Sequence, residues 1–181
     1  PSFACPSTID FVLTVTYTGG PRPRTFNIPI RVGPPATSVS ATLNTTAPTL
    51  PVGVVGATSQ GLQVGRMVRD GVASTCAGKA FPGVQAATGN RQYHAYTFTT
   101  ATGTGVPSFC VTVSLTNATG ALFTAGYVGT YNPASFATNY AGDPGSSFIG
   151  TGTYQFDVPA GQTFTVVVHE VNVAGGVGQN Y

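Results

Sequence analysis

The chain has 181 residues, 41% of them hydrophobic and only 7% charged, with 24 Gly and 14 Pro. That length suits one domain with room for a core. A composition so rich in helix breakers and so poor in charge excludes helical bundles, coiled coils and acidic disordered chains. A net charge of +2 is far below the footprint of a nucleic-acid binder, and no apolar run approaches the roughly 18 residues of a membrane-spanning helix, so neither nucleic acid nor membrane insertion is expected.

Alternation with period two dominates the pattern and predicts an all-β fold. Phe11, Leu13, Val15 and Tyr17 share one face of a first strand that stops at Gly19-Gly20-Pro21. Phe26, Ile28 and Ile30 repeat the alternation, so residues 10–32 read as a hairpin whose second strand, holding Pro29, belongs at an edge or a bulge. Residues 34–60 are rich in Pro, Thr, Ser and Ala and read as a linker with one short strand near 38–43. Further strands are expected at Leu62–Val68, Tyr93–Thr99, Phe109–Leu115, Leu122–Val128, Thr153–Val158 and Thr163–Val171, with turns at 102–107, 117–120, 132–147 and 159–161. Short strands so spaced predict a β-sandwich or jelly roll. The organisation is then a hairpin arm over 1–33, a linker over 34–60 and a sandwich body over 61–181. Thr163–Val171 is apolar on both faces, as a strand covered on both sides must be, yet only ten residues follow it, which leaves the sandwich one strand short.

Charge is unevenly spread. Residues 1–91 hold all seven basic residues and two acids, and residues 92–181 hold three acids and no base. Chance in a low-charge chain would give this, and so would complementary ends on a subunit that stacks head to tail. Of the three cysteines, Cys76 and Cys110 flank one long loop and the strand after it and are the expected disulfide. Cys5 is left over, as a free thiol or a bond to another chain or segment. A chain that begins at Pro1 without an apolar leader reads best as exported with its signal removed, ahead of an excerpt or a chain that has lost its first residues.

Motifs for chemistry fail one by one. His169-Glu170 opens like a zincin helix, but the second histidine would fall on Val173, and His94 shares parity with Tyr96 and Phe98 on a strand. There is no G-x-S-x-G and no complete dinucleotide fingerprint, and five scattered acids offer no carboxylate pair. No cofactor is expected. Asp143 in Asp-Pro-Gly reads first as a turn residue, with a weaker calcium reading beside Asn139 that lacks EF-hand spacing. Tyr131, Phe136, Asn139 and Tyr140 gather aromatics and an amide in one loop, which suits either a plug over the sandwich end or a surface that stacks on sugar rings and bonds their hydroxyls. Asn44-Thr-Thr and Asn117-Ala-Thr match the glycosylation triplet.

Four stretches, Phe109–Val113, Ala125–Pro133, Asn139–Ser147 and Tyr154–Val168, resemble the C-terminal jelly-roll modules of large secreted bacterial proteins, of the pre-peptidase C-terminal and convertase P-domain kinds. The hairpin resembles the closing strands of an Ig-like module. The resemblance spans about residues 76–172 and implies an exported accessory or surface domain with no catalytic residues to carry over.

Two functions therefore compete. One is a non-catalytic structural subunit of an extracellular filament or surface layer, in which Phe11, Leu13, Val15 and Tyr17 of one copy complete the open sheet of the next. The other is a carbohydrate-binding or adhesive module of a larger secreted hydrolase, with Tyr131, Phe136, Asn139 and Tyr140 on polysaccharide.

Overall fold

The computed structural model describes residues 9–15, 24–30, 37–102 and 105–181. The chain is all-β and antiparallel, and it divides into two compact units, Pro1–Thr37 and Ser38–Tyr181. The first unit holds β1 (Ile9–Val15) and β2 (Arg24–Ile30), paired from Ile9↔Ile30 to Val15↔Arg24. These are the expected hairpin strands. Phe11, Leu13 and Val15 lie on β1, described through its backbone, and Tyr17 falls outside the described residues, as does Cys5.

The second unit holds β3 (Ala57–Met67), β4 (Val84–Thr99), β5 (Ser108–Asn117), β6 (Leu122–Val128), β7 (Tyr140–Gly142), β8 (Gly150–Pro159) and β9 (Thr163–Glu170). Five of them make one sheet in the order β3-β4-β9-β6-β7, and β5 and β8 pair as a second sheet of two. The arrangement is sandwich-like, with the five-stranded sheet as the middle layer. On one side Phe164 and Val166 of β9 and Val128 of β6 pack against Tyr154, Phe156 and Val158 of β8 and Val111 and Val113 of β5. On the other, Val167, Val171, Phe123, Ala125 and Tyr127 lie under Phe136, Tyr131, Phe81 and Tyr140. The doubly apolar pattern of Thr163–Val171 is the sequence trace of that central position.

Residues 38–56 are not a linker. Leu43 is fully buried, flanked by Val39 and Leu50, against Tyr96, Leu115, Leu122 and Val168. The stretch reads as a linker by composition because its apolar residues are few and irregularly spaced, but those few pack on β4, β5, β6 and β9. The body therefore begins at Ser38 rather than at residue 61. The last residues return to the same place: Leu43 donates to Gln179 O at 2.9 Å, and Ala41 and Tyr181 exchange both backbone bonds at 2.9 Å. His94, buried on β4, donates from Nε2 to Asn44 O at 2.9 Å and accepts at Nδ1 from the Tyr181 hydroxyl at 2.7 Å, and that hydroxyl lies 2.6 Å from Tyr96 Oη. Burial holds His94 below the ordinary histidine pKa.

Cys76 and Cys110 form the expected disulfide. Ser74 receives the Gln155 N–H at 3.0 Å, so residues 74–76 cross the outer face of the small sheet from β8 to β5. No described helix is long and apolar enough to cross a membrane.

Candidate assembly edges

The small sheet has an exposed edge whose direction follows from one bond. Gln155 sends its N–H away from β5 to Ser74 O, so its cross-strand partner Thr112 sits in a non-hydrogen-bonded pair. By alternation the N–H and C=O of Cys110, Thr112, Ser114 and Thr116 point out of the sheet, and no strand pairs with them among the described residues. Beside the end of this edge runs a groove of about 730 Å³ lined by Ser40, Thr42, Thr116, Asn117, Asn180 and Tyr181, small or polar apart from the tyrosine. The outward face of the same sheet carries a hydroxyl ladder: Thr116 to Thr151 at 2.7 Å, Ser114 to Thr153 at 2.9 Å and Gln155 to Thr112 at 3.1 Å. Cross-strand polar pairs of this kind cover a sheet without charge.

The second edge belongs to β3. It pairs with β4 from Ala57↔Thr97 to Val64↔Asn90 before the ladder breaks at Gly65. Gly65 has φ +81°, and a Cβ there would sit 1.8 Å from Ala86 O, so glycine alone fits this bulge. The other side of β3 has no strand partner among the described residues. Residues 57–65 hold no charge and no proline, which are the usual guards of an edge. Leu62 is 57% exposed, Val64 54% and nearby Val84 51%. They line a groove of about 560 Å³ together with Phe81, Ala87 and Phe136.

The aromatic loop proposed for sugars is largely spent inside the body. Phe136 is 6% exposed. The Tyr131 ring meets Tyr93 edge-on at 5.1 Å and Tyr127 at 4.8 Å, and its hydroxyl donates to Gln63 Oε1 at 2.7 Å. Tyr140 packs on Phe81 at 5.3 Å and donates its hydroxyl to Asp143. Burial raises the pKa of both tyrosines. Asn139, at φ 62°, turns the chain and donates to Thr130 O at 2.9 Å. The four residues are brought together, but as a cover over the central sheet rather than an open stacking platform, because the apolar outer face of β6 and β9 needs one.

Asp143 is likewise an anchor rather than an open calcium ligand. It is fully buried, with Lys79 Nζ at 3.0 and 3.2 Å from its two oxygens, the Tyr140 hydroxyl and the Gly145 N–H at 2.5 Å. Lys79 also holds Asp70 at 2.7 Å. No group of three metal-ligating side chains occurs among the described residues. Asn117 is 4% exposed, donates to Phe148 O and accepts from Gly120 N, so its amide is committed within the fold. Asn44 accepts from Thr46 N in a local turn.

Sequence reasoning missed the β3 edge as a site. Its signal, nine residues without a guard, was readable once β3 was known to lie outermost, and strand order is not written in a strand's own residues. No family model, curated protein or solved structure matches the chain, so the resemblance to secreted jelly-roll modules rests on the residue patterns alone.

Proposed function

We propose that the protein is a non-catalytic structural subunit of an extracellular assembly, held together by strands that one copy adds to the open sheet edge of another. The observation that carries this reading is a body in which two long edge strands, β3 and β5, each lack a second partner strand among the described residues, in a chain that also holds a two-stranded hairpin unit. Isolated hairpins are marginal in water and gain stability from a third strand, while a long unguarded edge is a template for one. A head-to-tail contact of this kind does not close on itself and grows into fibres. The disulfide and the weakly charged, hydroxyl-rich surface suit an oxidising, extracellular setting.

The test compares the full chain with a Phe11→Asp/Leu13→Asp variant by negative-stain electron microscopy and sedimentation, with thermal melts to show that the bodies are equally folded. Fibres or oligomers in the parent and monomers in the variant are expected. Monodisperse particles in both would overturn the reading, and binding to a polysaccharide panel would then be measured for the accessory-module alternative.

A further inference from the structure

Strand addition needs two things at one place: an edge that offers backbone hydrogen bonds, and a surface that receives the alternate side chains of the incoming strand. The two edges differ in the second. At β5 the inward residues Val111 and Val113 are already half covered by the core of the small sheet, and the groove at its end is lined by Ser, Ala, Thr, Asn and Gly, with Tyr181 its one large side chain. At β3 the unguarded edge runs beside an apolar groove floored by Phe81 and Phe136, with Leu62, Val64 and Val84 all more than half exposed.

We infer that the acceptor is β3 and that its occupant is β1 of a second copy. This rests on the proposed strand-joined assembly and adds the partner and place of the contact. The observations favour β1 over other occupants on three grounds. Its seven residues match the run of eight over which β3 pairs regularly before the Gly65 bulge. It belongs to a sheet of two strands, so among the described residues its outer edge has no partner strand. Its sequence alternates Phe11, Leu13 and Val15 with Val12 and Thr14, apolar groups at the two-residue period that a groove alongside a strand accepts. The added strands would extend the central sheet from five to seven, since β2 comes with β1. Backbone pairing at β3 then supplies the contact, and the groove selects which face of β1 turns inward.

The experiment uses three chains: the parent, Leu62→Lys/Val64→Lys at the β3 edge, and Thr112→Pro, which removes an outward N–H from the β5 edge and one side-chain bond to Gln155 while leaving the backbone ladder to β8 intact. Assembly is read by sedimentation velocity and electron microscopy, and amide hydrogen exchange of residues 57–64 is compared at concentrations above and below assembly. The expected result is a β3 variant that stays monomeric while retaining the parent's melting behaviour, a β5 variant that assembles like the parent, and slowed exchange of residues 57–64 in the assembled parent. The reverse pattern, loss in the β5 variant alone, would overturn the assignment of the edge and leave strand addition standing. Assembly of both variants, or unprotected 57–64 amides in the assembled parent, would also overturn it. A parent that never assembles would overturn the proposed function itself. Should the double lysine variant unfold, the exchange arm on the parent decides alone.

Discussion

His169 is the most exposed of the residues to a change of pH, in the thermodynamic sense, because it is buried with nothing to stabilise a proton on Nε2. Its Nδ1–H donates to Glu170 O at 2.7 Å, and Nε2 has no hydrogen-bond partner. Burial depresses its pKa to about 4, and the Arg91 and Arg66 guanidiniums act in the same direction. Neither arginine has a carboxylate within ion-pair distance among the described residues: Arg91 is held by the carbonyls of Val171, Thr88 and Gly89, and Arg66 by Gln85 Oε1 and Met67 O. The unfolded chain binds a proton on this histidine near pH 6.5, whereas the folded chain does not until about 4. The stability is therefore intact above about pH 6.5 and falls as pH drops through that window, by roughly 3 kcal/mol at its lower end. Urea titrations at steps from pH 7.5 to 4.5 should show this slope, and His169→Phe, which keeps a ring beside Phe123, should reduce it to the part that the buried His94 contributes. An unchanged slope in the variant would place the pH sensitivity elsewhere.

At the scale of elements, a glycine lets the two sheets pack closely. A Cβ on Gly126 of β6 would lie 2.3 Å from Phe156 Cε1, and Phe156 is 1% exposed and stacked on Tyr154 at 6.0 Å, with no room to retreat. Gly126→Ala should cost about 1 to 3 kcal/mol by overpacking. That would appear as a lower urea midpoint at unchanged slope, and Gly126→Ala/Phe156→Leu should recover part of the loss. A midpoint equal to the parent's would mean that the sheets can separate. The same elements show what was legible. Leu122–Val128 and Thr163–Val171 stand where alternation put them, within a residue. The first half of β4, Val84–Gln92, was missed because Ala86-Ala87-Thr88-Gly89-Asn90 has no alternation: it hangs largely exposed against the bulged end of β3. The three residues of β7 read as turn from sequence, since Tyr140–Gly142 is too short to carry a period. The aromatic loop was legible as a cluster. Which side of its rings would be free depended on the outer face of β6 and β9, and that face was not visible from the loop's own residues.

For the whole molecule, the charge asymmetry read along the sequence dissolves once the true boundary is used. Divided at residue 91, the halves look complementary. Divided at 37, the hairpin unit has Arg22, Arg24 and Arg31 against Asp10, and the body has four bases against four acids. Of those eight, Arg66, Arg91, Asp143 and Glu170 are buried, and the Lys79 side chain is 8% exposed. Long-range steering between a weakly positive arm and a neutral body is feeble, and salt has little to screen. If copies join by backbone pairing and an apolar groove, the concentration for half-assembly should move by no more than about 3-fold between 50 and 500 mM sodium chloride, while sulfate, which favours apolar burial, should lower it. Sedimentation over a salt series tests this. A weakening of about tenfold or more with sodium chloride would mean that ion pairs hold the copies together, and the most exposed charges of the body, Arg69, Asp70 and Asp157, would then become the contacts to replace.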